Sequence, residues 1–445
     1  MRTAIVIGLL VAAIPACSSD NAAPGPDAQT GNHPPPRVIS GGGIGDGAID
    51  GVVNLYVIDD ATRTPVVGAT VRVGGIDGTT DATGLFIANN VAGPQTVVVR
   101  AANYRSELWL GANGANMTID LNAAVDPVPT SASLSGAITG FGAITVPANH
   151  RKAASVVYSQ DDKLGDAANS IATTCNTNFC DTIGAAACTF TVTSRTGTVG
   201  LVAALYDHDT KGTASPADDT FTLIGWATRT GITVANGVAQ SGQDLTIVAA
   251  TDLATITADF GTPPSGLPTV GAVVGIDAGT SGTLQLFSVL TPASPSLLAP
   301  KLSAISGSTY RLTGIANNGT GPTAAQSVVL RRPLTTAPLA AGTWLAAPTG
   351  LALTRTGGSW TAVAGALVMG ASYDQTVATT VTHLLNVTAF DSSTTYVIPD
   401  VVTLPAGTLD AKGTAIGATL DPMNFSADAD RGKLNSFASQ PVAVN

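Results

Sequence analysis

Short runs in which apolar and polar residues alternate recur along the chain. Ala69, Val71 and Val73 alternate with Thr70 and Arg72, and Cys188, Phe190 and Val192 alternate with Thr189, Thr191 and Thr193. Alternation with a period of two puts one set of side chains on each face of an extended segment, so each run predicts a half-buried β-strand. Between the runs stand turn signals such as Thr64-Pro65-Val66-Val67-Gly68, Thr80-Asp81-Ala82-Thr83-Gly84 and Gly93-Pro94. Gly supplies positive φ, Pro presets φ, and Asp bonds its own turn backbone. The fold class predicted is all-β, a tandem of β-sandwich domains.

The runs group into four units. The first covers 44–124. The second covers 131–249, with strands predicted at Ala132 to Ile138, Ala154 to Tyr158, Cys188 to Thr193, Val199 to Tyr206, Phe221 to Thr228 and Asp244 to Val248. The third covers 253–341, with strands at Thr283 to Leu286, Thr309 to Leu312 and Ser327 to Arg331. The fourth covers 344–445, with strands at Ser359 to Thr361, Thr382 to Phe390 and Tyr396 to Pro399. From Ala406 the strand signals thin out, so the tail is expected to form an extra hairpin or to fray. A chain of 445 residues has room for three or four domains, each with its own core.

The N-terminus carries a different pattern. Arg2 precedes an uninterrupted apolar stretch from Ala4 to Ile14, long enough for a signal peptide and too short to span a bilayer. Ile14-Pro15-Ala16-Cys17 follows, and it resembles the bacterial lipobox: an aliphatic residue, a small residue and then an essential cysteine. Pro15 departs from the small or hydroxyl residue usual there. The resemblance implies cleavage of residues 1–16 and acylation of Cys17, which would attach the protein to a membrane through its lipid. Ser18 is not the Asp that by family rule favours the inner membrane, so the outer membrane is expected. Residues 17–43, rich in Pro and Gly and including Pro34, Pro35 and Pro36, are expected to be a flexible tether with His33 in solvent.

Composition narrows the class. Charged residues are 11% of the chain, with Gly 49 and Pro 26. That profile suits β-strands and tight turns, and it lacks the low hydrophobicity and high charge of a disordered chain. Lys and Arg number 20 and the formal charge is −10, without the basic clusters that phosphate contacts require, so nucleic acid is not an expected partner.

In the first unit Gly51-x-Val53, Thr64-Pro65-x-x-Gly68-Ala69-x-Val71, Thr80-Asp81-x-x-Gly84-x-Phe86, Gly93 and Tyr104 occur in that order. This pattern resembles the carboxypeptidase regulatory-like domain, a small transthyretin-like β-sandwich with some relatives among carbohydrate-binding folds. The resemblance implies a spacer or adhesion module, and no peptidase domain accompanies it. In the fourth unit Pro348 and Trp360 loosely resemble a fibronectin type III arrangement.

Few residues point to chemistry. Asp207, Asp209 and Asp218 stand at the first, third and twelfth positions of an EF-hand-like loop, with Gly212 at the sixth and Asp219 beside the last. Lys211 occupies a position where an oxygen ligand is expected. Two readings follow: a calcium site, or a hairpin whose Asp residues bond their own backbone. No other cofactor is implied. Cys175, Cys180 and Cys188 remain once the lipid takes Cys17; a Cys175–Cys180 disulfide would leave Cys188 buried on its strand face. There is no HExxH, no Gly-x-Ser-x-Gly elbow and no Walker loop, and the His count is 4. Trp109, Trp226, Trp344 and Trp360 are scattered singly, as core residues usually are.

The function expected is therefore that of a non-enzymatic cell-envelope lipoprotein. Its modules would act as spacer, adhesion or envelope-assembly units, with envelope proteins or glycans as partners. A carbohydrate-binding surface lipoprotein is the first alternative and an extracytoplasmic hydrolase with a distributed site the second.

Overall fold

The structure, a computed structural model, describes residues 33–127, 130–159, 180–182, 188–213, 218–249, 253–319, 324–334, 339–340 and 343–444. The fold is all-β. The first unit contributes β1 (Gly43–Gly45), β2 (Asp50–Asp59), β3 (Thr70–Val73), β4 (Ile76–Thr79), β5 (Leu85–Ala92), β6 (Gln95–Arg100), β7 (Ser106–Ala112) and β8 (Asn116–Leu121). The second contributes β9 (Ser131–Thr139), β10 (Arg151–Tyr158), β11 (Cys180–Thr182), β12 (Cys188–Arg195), β13 (Gly197–Asp209), β14 (Thr220–Val234), β15 (Leu245–Thr246) and β16 (Val248–Ala249). The third contributes β17 (Leu253–Asp259), β18 (Thr269–Asp277), β19 (Thr283–Leu290), β20 (Ser296–Pro300), β21 (Thr309–Asn317), β22 (Gln326–Leu334) and β23 (Leu339–Ala340). The fourth contributes β24 (Thr349–Thr354), β25 (Gly357–Thr361), β26 (Val368–Val377), β27 (Thr380–Ala389), β28 (Thr395–Val397), β29 (Leu409–Ala418), β30 (Phe425–Ser426) and β31 (Leu434–Val444). A single helical turn, α1 (Ala427–Asp430), follows β30.

Local chemistry accounts for the first unit. Val71 and Val73 are fully buried while Thr70 is exposed, as the alternation requires. Gly84 has φ of 77°, and the Asp81 carboxylate accepts the backbone N–H groups of Thr83 (2.8 Å) and Leu85 (3.0 Å). Without a Cβ, Gly adopts that φ at no steric cost.

The units are interlocked rather than strung out. One 12-stranded sheet runs in the order β19-β18-β21-β22-β31-β29-β26-β27-β7-β6-β3-β4, through the third, fourth and first units. β27 pairs parallel with β7 (Val387 opposite Leu108), and β22 pairs antiparallel with β31 (Val328 opposite Phe437). The cores cross the same boundaries. Leu108 and Leu110 of the first unit pack with Tyr373, Leu385 and Trp360 of the fourth. Val157, Val202 and Trp226 of the second unit pack with Ile256, Val274 and Leu312 of the third.

Of the two outcomes expected for the tail, fraying is not seen: β29 and β31 pair antiparallel, as a hairpin, inside the long sheet. Their inward positions include Ala411, Gly413, Ala415 and Ala438, residues of low strand propensity. Close approach explains that choice, because a Cβ on Gly413 would run into the Leu351 side chain. Nor are residues 33–43, the described part of the expected tether, free. The Asn54 Nδ2 donates to the Pro34 carbonyl (3.2 Å), Asn116 Nδ2 to the Pro35 carbonyl (3.3 Å), and the Ile39 N–H to Thr118 Oγ1 (2.7 Å). His33 is half-buried, not fully in solvent. β1 then inserts between β8 and β30, and Ser40 Oγ donates to Asp428 (2.8 Å). The chain therefore straps the first unit to the C-terminal segment before it enters the sandwich. Cys17 and residues 1–16, read as a signal peptide from the sequence, lie outside the described residues.

Candidate functional site

The acidic segment of the second unit sits at one end of a sheet ordered β11-β10-β13-β14-β16. β13 runs on through Asp209, so Asp207 and Asp209 are strand residues and not the start of a loop. Its alternation sends Leu201, Ala203 and Leu205 into the core of the second unit, with Asp207 and Asp209 next along that face. Tyr206 and His208 point to the opposite face.

On the first face His150, just ahead of β10, meets both carboxylates. Its Nδ1 is 2.7 Å from Asp207 Oδ1, and its Nε2 is 3.6 Å from Asp209 Oδ2. Lys211 Nζ donates to Asp209 Oδ2 (2.5 Å) and its backbone N–H to Oδ1 (2.8 Å). The Lys211 bonds hold the Asp209 carboxyl below the usual carboxylate range. Nearby, the buried Lys152 donates from Nζ to the Phe141 carbonyl (2.9 Å). On the other face His208 Nε2 lies 2.8 Å from Asp219 Oδ2, and its ring stacks on Phe221 with centroids 4.3 Å apart. Asp218 accepts the Thr213 hydroxyl (2.9 and 3.0 Å).

The four aspartates proposed for calcium are thus split three ways: Asp207 with Asp209, Asp219 behind the sheet, and Asp218 in the turn. A hard cation needs its oxygens converging on one point. Asp207 and Asp209 share one face of β13, whereas Asp218 and Asp219 lie ahead of β14 and face Thr213 and His208. Among the described residues no group of three or more His, Cys, Asp or Glu side chains is placed to hold a metal ion.

Cys188 is buried, and it is disulfide-bonded where the Cys175–Cys180 pairing had left it as the spare thiol. Cys175 and the side chain of Cys180 lie outside the described residues. Trp109, Trp226 and Trp360 are buried, and Trp344, half-buried, donates from Nε1 to the Phe260 carbonyl (2.7 Å). Phe221 is the partly exposed ring beside the His208–Asp219 pair, at 45%.

Two charged groups carried no sequence signal. Glu107 on β7 accepts from Arg105 Nη2 (3.0 Å) and from Asn386 Nδ2 (2.8 Å) of β27. Burial pushes its carboxyl up, against the pull of Arg105. Burial also pushes Asp120 well up, and the charges of Asp60 and Glu107 add to that. The second group is His383, between Asp374 and Asp126. The first is made by the β7–β27 pairing between units, and the second by the β26–β27 register within the fourth unit together with the connection that carries Asp126; local patterning encodes neither.

No protein-family model and no curated protein matches the sequence. Among solved structures, the Bacillus anthracis TIE protein shares 10% identity over 60% of this chain and 45% of its own, with a TM-score of 0.14. BcpA, the major pilin subunit of Bacillus cereus, shares 10% identity over 65% of this chain and 98% of its own, with a TM-score of 0.15. The chain therefore spans less than half of the TIE protein, and similarity at this level carries no functional argument.

Proposed function

We propose that this protein is a non-enzymatic cell-envelope lipoprotein, anchored through Cys17, whose interlocked β-units form a spacer or adhesion stalk. The observation that carries this reading is the strap. Residues 34–45, which follow the lipidation motif, are hydrogen-bonded to the first unit and paired through β1 to β30. Tension from the anchor would enter the five-stranded sheet β30-β1-β8-β2-β5, where the first unit is paired to β30 of the fourth, rather than the first sandwich alone. The first unit is read as a carboxypeptidase regulatory-like module on its turn residues. The imidazoles of His150 and His383 each have carboxylates facing both ring nitrogens. A general base needs one nitrogen free for its nucleophile, so these two favour a structural role.

A glycan-binding role draws on one observation, the Phe221 ring exposed beside His208 and Asp219. The test is to express the full chain with Cys17 and with Cys17→Ser, then measure membrane fractionation and the mass of the mature N-terminus. Acylated, membrane-bound wild type beside a soluble variant is expected. A soluble wild type cleaved elsewhere would refute the anchor. Phe221-dependent retention on a glycan array would replace the stalk reading with a glycan-binding one.

A further inference from the structure

The connection between the first and second units is held by a histidine. Residues 122–126 leave β8 and run between two elements. On one side the Arg105 N–H donates to the Asn122 carbonyl and the Ala124 N–H to the Asn103 carbonyl, both at 2.8 Å. On the other, the His383 N–H donates to the Ala124 carbonyl at 2.6 Å, and Val125 bridges to Thr382. β26 and β27 slip by one residue between Tyr373 and Asp374. The slip brings His383 opposite Asp374, away from the Tyr373–Leu385 core contact.

The His383 ring, in a residue only 8% exposed, then lies between two carboxylates. Nδ1 is 2.8 Å from Asp374 Oδ1, and Nε2 is 3.3 Å from Asp126 Oδ1. Asp374 belongs to the rigid sheet, whereas Asp126 belongs to the connection and is 64% exposed. The other charged groups nearby are engaged elsewhere. Asp410, the register partner of Asp374 on β29, accepts the Thr376 hydroxyl (2.9 Å), and Arg105 is turned to Glu107.

We propose that His383 is a pH-operated clamp, which in its doubly protonated form bridges Asp374 to Asp126 and fixes the connection between the first and second units. The chemistry is a donor count. A protonated imidazole donates from both nitrogens, and a neutral one from a single nitrogen. The neutral ring keeps the Nδ1 hydrogen bond to Asp374 and loses the charge that draws Asp126 toward Nε2, which here stands at ion-pair distance from Asp126 without a hydrogen bond. Asp374 first, and Asp126 with it, raises the titration of His383 above the ordinary 6.5 against the cost of burial. A raised folded value means the clamp's stabilisation is fully present below the unfolded value and is lost as pH rises through the folded one. The clamp therefore closes on the acid side and opens on the alkaline side. For a stalk at a cell surface, that would set how firmly the second unit is held against the first.

The test uses the full chain and reads the histidine ring protons by NMR across pH, with hydrogen exchange of the peptide spanning 122–127. His383→Gln identifies the resonance. Asp126→Asn, at an exposed site, keeps the fold and removes only the outer carboxylate. A His383 midpoint above 6.5 is expected in the wild type. Asp126→Asn should lower it by about 0.2–0.7 pH, the size of an exposed ion pair. Exchange in 122–127, corrected for its intrinsic pH dependence, should accelerate through that midpoint in the wild type and show no step in Asp126→Asn. A His383 midpoint at or below the ordinary value, or an exchange profile that Asp126→Asn leaves unchanged, would overturn the proposal.

Discussion

Val328 of the third unit and Phe437 of the fourth sit opposite one another in a single antiparallel ladder. Val328 is 8% exposed and Phe437 5%, so this seam is as dry as the interior of either unit. The pairing makes the boundary between the units a continuous sheet.

Breaking that ladder should uncouple the units. Proline in a central strand removes a ladder hydrogen bond and clashes with its neighbours. Val328→Pro is expected to cost about 3 kcal/mol or more. It should also split one calorimetric unfolding transition into two. A single transition at the wild-type temperature would count against a load-carrying seam.

The strap offers a second point of attack. Gly43 has φ of 153°, and a Cβ there would run into the carbonyl oxygen of Phe425 across the β1–β30 pairing. Gly43→Ala should destabilise by about 1–3 kcal/mol, the usual cost of overpacking. The loss should appear as faster hydrogen exchange in both 37–45 and 424–430. Protection changing in the first segment alone would mean the two ends are not coupled.

Asp120 makes a prediction about pH. Its carboxyl is pushed well above the ordinary 3.8. The folded chain thus holds this proton to higher pH than the unfolded chain does, and stability drains away as pH rises from the ordinary value through the raised one. Asp120→Asn removes that drain and supplies an amide N–H for Asp60. Its melting temperature should exceed that of the wild type at neutral pH, with the gap closing on acidification. A variant that melts lower at every pH would show that the ionised carboxylate is needed.

Cys188, on β12, is disulfide-bonded. Cys188→Ala should lower stability by about 2–4 kcal/mol, typical of a lost disulfide. In the wild type, peptide mass mapping under denaturing, non-reducing conditions should find Cys188 protected from alkylation. An alkylated Cys188 would show that it is not bonded in the isolated protein.

What the sequence revealed and what it concealed follow one physical divide. The strand of Val71 and Val73, the Asp81–Gly84 turn and the buried face of Cys188, Phe190 and Val192 depend on near neighbours in the chain, and their patterns were legible. β29 and β31 were faint because their inward residues are Ala and Gly, chosen for close approach and not for bulk. The Pro34–Pro36 segment read as tether because its own side chains are uninformative. Its anchors are the Asn54 and Asn116 amides, which reach its carbonyls from distant strands. The Asp207 cluster read as a loop from its spacing, whereas Asp207 and Asp209 stand on one face of β13 and are engaged by His150 and Lys211. His383 needed a register slip and a parallel unit on the other side of the connection, both products of tertiary pairing.

The most direct measurement of the stalk account is single-molecule extension of the full chain between handles at position 17 and just after β31, so that the first and fourth units both lie in the stretched path. The account predicts that the first and fourth units yield in one event, because they share two cores and the β7–β27 ladder. A first event releasing only the length of residues 44–124, with the fourth unit still folded, would contradict it.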